Sequence, residues 1–596
     1  MDRLQAGHDL GDYLRIQAQR TPKAPALVGD GMCWLYEALE RRVEQLAVSL
    51  VSQLGAGAWR IGVQVGERRW GVLAMLAIFR AGMVYVPLDL TLPAVRRRYM
   101  IDDCAMTCVL VDAQGEADDV FRGERSLPAW RIENEGLAPG APLPDIVLDE
   151  AAPAYLLYTS GSTGQPKGVE MTRRALCNLI DHQLESGGAF IKPLKTLLFA
   201  SPGFDVSVQE ILSAVACGGV LQTVPSDVRQ DMSRLYQLIQ ANDVQRCFLP
   251  YSVLQALAIA HERRQGAEAR VRQVISAGEA LQLTPQIIDW LQGCGCELVN
   301  HYGPTETHVV TQYHSTRPLS QWSTRVPIGQ PIANVQAFVL DAQLQVIPEG
   351  EEGELCLAGI CLANGYVGRA QETARRFPLW QSPEGECLRL YRTGDRVMRD
   401  ASGELLYLGR MDTQVKINGQ RVELAEIEAH LKRDPTVREA VVLVDSLTGQ
   451  ADGQLLVAFV LYAPDPAGAP VITPAARIEP WVEALPVYMR PQRVVVIDRL
   501  PLTTNGKLDQ RALLSLSQAP GTLPTSLSAE QARVAQLFAR LLKVTVTDAD
   551  MDFFAQGGNS LLAIRFVQLV ERECGVRLDM TAFLNQPTIA HVATYL

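Results

Sequence analysis

The chain has no long tract of lysine and arginine, and its 55 basic against 66 acidic residues leave a formal net charge of −11. Duplex nucleic acid demands a basic footprint that displaces its counterions, so nucleic acid is excluded as a partner. The densest basic run, Arg96-Arg97-Arg98, reads as a solvated helix face. A membrane signal is missing too. The opening MDRLQAGHDLGDYLRIQAQR has no apolar core of a secretory leader, and the longest apolar run, Gly71 to Phe79, falls far short of the roughly 20 residues that span a bilayer. Zinc spacing is also absent: the 12 cysteines are scattered, and the close pair Cys294 and Cys296 has no matching ligands nearby. Together these absences favour a reducing cytoplasm with mostly free, buried thiols and no membrane partner.

What is present is a globular composition, with 47% hydrophobic and 20% charged residues over 596 positions, too many for one core. From about Leu14 to Gln330, strand-like runs such as RIGVQV, TCVLVD and CELVN alternate with amphipathic stretches such as LTPQIIDWLQGCG. That alternation predicts a layered α/β body with substantial parallel sheet. From Ile332 short β-rich runs take over, VQAFVLD, GELCLAG and GELLYLGR, with turn signals such as Pro348-Glu349-Gly350. They predict a β-rich subdomain that closes the body, so that residues 1–408 form the large unit. Residues 409–514 read as a small α+β lid, 515–528, rich in Ser, Thr, Pro and Gly, as a linker, and 529–596 as an all-α unit of helical periodicity.

Within the body, YLLYTSGSTGQPKGVEM, Tyr155 to Met171, crowds hydroxyls and glycines around Lys167. The spacing is not that of a Walker loop, because Lys167 follows Pro166 and precedes Gly168. The chemistry of phosphate binding survives: glycines admit close backbone approach while hydroxyls and a lysine offer donors to oxygens.

Further along stand FDVS (Phe204 to Ser207), NHYGPTE (Asn300 to Glu306) and YRTGD (Tyr391 to Asp395). GRMDTQVKINGQRVELAEIE follows from Gly409, LPVYMRP from Leu485 and NGKLDQR from Asn505. In this order, over roughly Leu14 to Leu514, the set resembles the adenylation domains of nonribosomal peptide synthetases, members of the adenylate-forming superfamily. The resemblance implies activation of a carboxylate by ATP with release of pyrophosphate, then transfer of the acyl group to a thiol. It implies that Thr159, Ser160, Gly161, Ser162, Thr163, Gly164 and Lys167 wrap the β- and γ-phosphates, and that Tyr302 stacks on adenine, bordered by Asn300 and the turn Gly278, Glu279, Ala280. Thr305 would contact the α-phosphate and Glu306 would hold Mg²⁺. Asp395 would accept from the ribose hydroxyls with Arg410 nearby. Lys507 would bridge the substrate carboxylate and the α-phosphate, where negative charge builds. The lid of this family pivots between the two steps, here at Asp412. Two departures from the family pattern are LANGY at Leu362 to Tyr366, where Arg usually precedes Gly-Tyr, and Ala425, where Gly is common.

The all-α unit carries DFFAQGGNSLLAIRFVQLV, Asp552 to Val570, which resembles the peptidyl carrier proteins, four-helix bundles whose serine bears a 4′-phosphopantetheine arm. Ser560 opens an apolar-periodic stretch, so it sits at a helix start, where free amides favour a phosphodiester. The resemblance implies a phosphopantetheinyl transferase as partner, and condensation, tailoring or thioesterase proteins as consumers of the loaded acid, since no condensation or thioesterase signature is read in the chain.

Asp205 argues for an α-amino acid, because a buried carboxylate without a substrate ammonium would cost several kcal/mol. By the same resemblance the pocket falls on Val206, Gln209, Phe248, Ile275, Ala277, His301, Val309 and Val310, with Lys507. This lining is mostly apolar and resembles most closely the set associated with L-proline. Valine is the runner-up, because one methylene is worth only about 1 to 3 kcal/mol in such pockets. The rival class is a free-standing acyl-CoA ligase, against which Asp205 and the carrier unit speak. RCFLPYS admits two registers, so the position given to Phe248 could slip by one residue.

Overall fold

The apolar runs before Gln330 become strands covered on both faces. In Val84–Pro87, Cys108–Val111, Arg246–Leu249 and Gln273–Ser276 every residue is buried, the pattern of parallel sheet flanked by helices. The helix Arg68–Arg80 buries all of Val72 to Phe79, and Asp205–Ala216 buries all of Ser207 to Ala216. Helices apolar all round belong between layers rather than at a surface.

The computed structural model describes the chain apart from residues 1–8, 30, 118–119, 121–126, 134–142, 144–145, 147, 150, 162–163, 230, 263–269, 316, 413, 418–419, 447–453, 463–473, 502–507, 518–526, 543–545, 547, 554–555, 557, 559, 580–581 and 584–585. It forms two compact units, one running to Thr159 and resuming at Pro166–Gly419, the other made of Ser160–Gln165 and Gln420–Leu596.

The first unit holds three sheets. A nine-stranded sheet is parallel from Glu297–Tyr302 through Gln273–Ser276, Arg246–Leu249, Lys195–Leu198 and Val220–Thr223 to Pro25–Gly29, with antiparallel strands at both ends. A seven-stranded sheet joins Ala129–Arg131, Cys108–Val111, Arg60–Gln64, Val84–Pro87 and Pro153–Thr159 in parallel, then turns antiparallel through Lys167–Thr172 to Gly365–Tyr366. The third sheet is wholly antiparallel and is the β-rich subdomain expected from Ile332: Val335–Leu340, Glu352–Gly359, Cys387–Arg399, Leu379–Gln381 and Leu405–Arg410. Leu405–Arg410 runs across the expected boundary at 408/409, and the unit continues to Gly419.

In the second unit, Val437–Ser446, Gln454–Tyr462 and Arg493–Val496 form a three-stranded sheet beside the helices Leu424–Leu431, Pro474–Glu483 and Gln510–Ser517. Farther on, the helices Ala529–Leu542, Ser560–Cys574 and Ile589–Ala593 enclose a core in which Phe538, Phe553, Phe566 and Phe583 pack ring to ring. Gly558 fits because a Cβ there would lie 2.1 Å from the Phe553 ring. All 12 cysteines are free thiols; only Cys33 and Cys387 are exposed. No helix among the described residues is long and apolar enough to cross a membrane.

Candidate active site

One strand turns its side chains to two faces through simple alternation. In Glu297–Tyr302, paired in register with Gln273–Ser276 and onward to Arg246–Leu249, Val299 lies beside Ile275 and Ile275 beside Phe248, while Asn300 lies beside Ser276. Successive side chains point to opposite faces. His301 therefore shares a face with Val299, Ile275, Ala277 and Phe248, and Asn300 and Tyr302 share the other. Phe190 packs with Phe248, Ile275 and Val299 and stacks on His301, with ring centroids 6.0 Å apart and an interplanar angle of 2°. A slip at RCFLPYS would bring Cys247 or Leu249 forward, and both sit on the opposite face.

His301 anchors a buried polar relay. Its Nδ1 lies 3.3 Å from Gln209 Nε2 and its Nε2 lies 3.1 Å from Gln312 Oε1, so Gln209 donates to Nδ1 and Nε2–H donates to Gln312. Burial lowers the His301 pKa to about 4, which keeps the ring neutral. Gln209 Oε1 is buried without a partner among the described residues. Asp205 opens its helix half-buried, one carboxylate oxygen accepting from the Val206 amide at 2.8 Å. Its carbonyl is 3.1 Å from His308 Nε2, and His308 Nδ1 accepts from the Val309 amide at 2.8 Å. His308, held neutral by burial, thus ties the Asp205 helix to the segment bearing Val309 and Val310, both of which are buried in the main core. The sequence reading missed His308, Gln312 and Phe190; Gln312 meets His301 through antiparallel strand pairing, which no motif in the sequence records.

The opposite face carries Asn300, which donates to the Pro327 carbonyl at 2.8 Å, and Tyr302, whose hydroxyl donates to Asp395. Burial and the neighbouring Asp395 push the Tyr302 phenol pKa up, so it stays a donor. Asp395 Oδ1 also accepts from Arg410 at 2.8 Å. The same guanidinium clamps both oxygens of Asp412, at 2.9 and 2.6 Å, a bidentate grip that fixes geometry as well as charge. The Gly278 turn has φ of 86°, and Glu279 accepts from the Ser252 amide at 2.7 Å. Ala280 beside it is exposed.

After Tyr302 the chain turns tightly: a Cβ on Gly303 would stand 1.6 Å from the His308 carbonyl oxygen. The turn presents Thr305 half-buried and Glu306 fully buried. Glu306 accepts from the Tyr366 hydroxyl at 2.7 Å. Among the described residues no three ligating side chains cluster; Glu306 is the carboxylate that could hold a Mg²⁺ ion, which commonly takes one or two protein carboxylates with phosphate oxygens and water.

Thr159 and Lys167 pair across the two strands that flank the Ser/Gly loop. The Thr159 hydroxyl is buried without a partner among the described residues. Lys167, only 2% exposed, lies 2.9 Å from Glu372 and 4.0 Å from Glu306, with its Nζ 4.1 Å from the centre of the Tyr366 ring. In the second unit, Ser160 donates to the Arg421 carbonyl at 2.9 Å and the Gly161 amide donates to Glu426 at 3.0 Å, while Gly164 lies close to Ala429. Ser162, Thr163 and Lys507 lie outside the described residues. Ser560 is the first residue of its helix.

Comparison with known proteins follows this layout. The AMP-binding enzyme family matches residues 14–367, its C-terminal domain residues 426–507, and the phosphopantetheine attachment site residues 532–596. Tyrocidine synthase 2 of Brevibacillus parabrevis is 32% identical over 97% of this chain, and phosphinothricin tripeptide synthetase PhsC of Streptomyces viridochromogenes is 34% identical over 98%. The chain spans 16% and 52% of those two proteins. A solved nonribosomal peptide synthetase protein containing adenylation and carrier domains, in its holo form with a vinylsulfonamide inhibitor, superposes with a TM-score of 0.80 at 28% identity, covering 99% of this chain and 96% of that one. The chain belongs to the AMP-binding enzyme family, as an adenylate-forming ligase that uses ATP with Mg²⁺ and carries a phosphopantetheine attachment domain.

Proposed function

We propose that the chain activates L-proline with ATP and loads it as a thioester on the phosphopantetheine arm of Ser560. The observation that carries the choice of acid is the relay Gln209–His301–Gln312 set in an otherwise apolar lining. A neutral ring beside neutral amides brings no counter-charge for a charged side chain, while Phe248, Ile275 and Val299 favour a compact apolar ring. Asp205 keeps lone pairs for both hydrogens of a secondary ammonium.

The chemistry follows from the roles that the resemblance gives these residues. The substrate carboxylate is already ionised, so no side-chain base is required. Its oxygen bonds to the α-phosphorus as the bond to the bridging oxygen breaks, and pyrophosphate leaves with the electron pair. Asp395 and Tyr302 hold the nucleoside, Thr305 donates to the α-phosphate, and Lys507 offsets the charge gathering there. Glu306 would hold Mg²⁺, which when bound would supply positive charge against the phosphate oxygens. Ser560 at a helix start supplies the attachment point, which calls for a phosphopantetheinyl transferase, and condensation, tailoring or thioesterase proteins then take the loaded acid.

The test is intact mass spectrometry of the pantetheinylated chain given ATP, Mg²⁺ and a mixed amino-acid pool. A prolyl increment that disappears in Ser560→Ala is expected. A valyl increment would overturn proline, and a coenzyme A product with an empty arm would favour the acyl-CoA ligase class.

A further inference from the structure

Lys167 is placed to meet phosphate, yet its charge is already answered. Its ammonium is 2.9 Å from Glu372 and nearly sealed from water, with Glu306 at 4.0 Å and the face of Tyr366 at 4.1 Å. Glu372 comes from the short helix Ala370–Arg376, none of whose residues is buried. That helix is pinned to the strand Gly365–Tyr366 by the Tyr366 amide, which donates to Thr373 at 3.0 Å. The strand in turn pairs with Lys167–Thr172, so ammonium and carboxylate are fixed through one continuous piece of structure.

A buried ammonium cannot be left without a counterion except at a cost of several kcal/mol. In the activation step the oxygen–phosphorus bond to the acid forms, the bond to the bridging oxygen breaks, and pyrophosphate must then depart from the vicinity of Lys167. Glu306, farther from the ammonium at 4.0 Å, accepts from the Tyr366 hydroxyl and would be the carboxylate that holds Mg²⁺. We infer that Glu372 is a positioning residue that competes with pyrophosphate for Lys167, taking back the ammonium as the leaving group departs and so setting how weakly pyrophosphate is held. This rests on the proposed adenylation.

Direct titration of magnesium pyrophosphate into the full chain tests it. Glu372→Gln keeps the shape and removes the charge, so binding should tighten about tenfold, the scale of one charge-assisted contact. Lys167→Met should weaken binding, and in that background the Glu372→Gln change should alter affinity less than twofold, a coupling that a merely structural role would not produce. Glu372→Asp, which keeps the charge on a shorter stem, should fall between wild type and Gln, and it decides the matter should the Gln chain fail to fold. Unchanged or weakened pyrophosphate binding in Glu372→Gln overturns the inference, as does equal tightening with Lys167 absent. Amino-acid-dependent pyrophosphate exchange by the unsubstituted chain is the separate control: its absence would overturn the adenylation reading itself, and the inference with it.

Discussion

His301 shows what a single buried ring does to stability. Its pKa falls from 6.5 to about 4 because burial penalises the charged form. The unfolded chain takes up the proton first, so stability is fully present above pH 6.5 and drains away as pH falls toward 4. By pH 5 the loss from this ring amounts to about 2 kcal/mol. His301→Gln should therefore lose less stability than wild type between pH 7 and pH 5, as read by urea midpoints at the two pH values; His308 and His182, also lowered by burial, continue to contribute in both chains. An identical decline in wild type and variant would contradict the assignment. At this scale the pocket was partly readable. Gln209 and His301 stood out as polar residues in an apolar set, whereas Glu372 did not, because its partner Lys167 is 205 positions away and nothing local to either residue records the pairing.

Alternation along the strand Glu297–Tyr302 puts His301 on one face and Asn300 and Tyr302 on the other; the resemblance assigned these residues to substrate and nucleotide, but the division into faces was not read from the sequence. The turn after the strand was not read from it either. NHYGPTE was read only as a family motif, and the sequence does not say that Gly303 faces the His308 carbonyl with no room for a methyl group. Gly303→Ala must push the backbone aside and carry Thr305 and Glu306 with it. Small displacements of reacting groups cost about 100-fold in rate, and a loss of that size is expected in pyrophosphate exchange, with attachment of the arm to Ser560 undiminished. Full exchange activity in the variant would show that the turn tolerates the shift.

For the molecule as a whole, the order α/β body, β-rich subdomain, small sheet-and-helix unit and helical unit was readable from changes in periodicity, and the carrier only from the resemblance of Asp552 to Val570. The extent of the first unit was not: Leu405–Arg410 remains in its sheet because it pairs along Cys387–Arg399 as far as Asp395 and Arg410, and a side-chain clamp then holds Asp412 to the same guanidinium. The resemblance assigns Lys507 to activation and Asp412 to the switch toward transfer. Lys507→Ala should abolish pyrophosphate exchange, on the order of 100-fold or more, while transfer from a supplied prolyl adenylate to the arm survives. Equal loss of both steps would argue against a chain that divides its work between two arrangements.

The distribution of thiols has a practical sequel. Burial raises the pKa of Cys104 to about 11 and those of Cys108, Cys177 and Cys361 to about 12, so few of their sulfurs are nucleophilic near neutrality. A brief exposure to an alkylating dye should mark chiefly Cys33 and Cys387, and after arm attachment a new label site on the Ser560 peptide. Substituting those two surface cysteines would give a chain whose fluorescence reports the free arm alone, so that loading by an amino acid is seen in real time as protection from the dye.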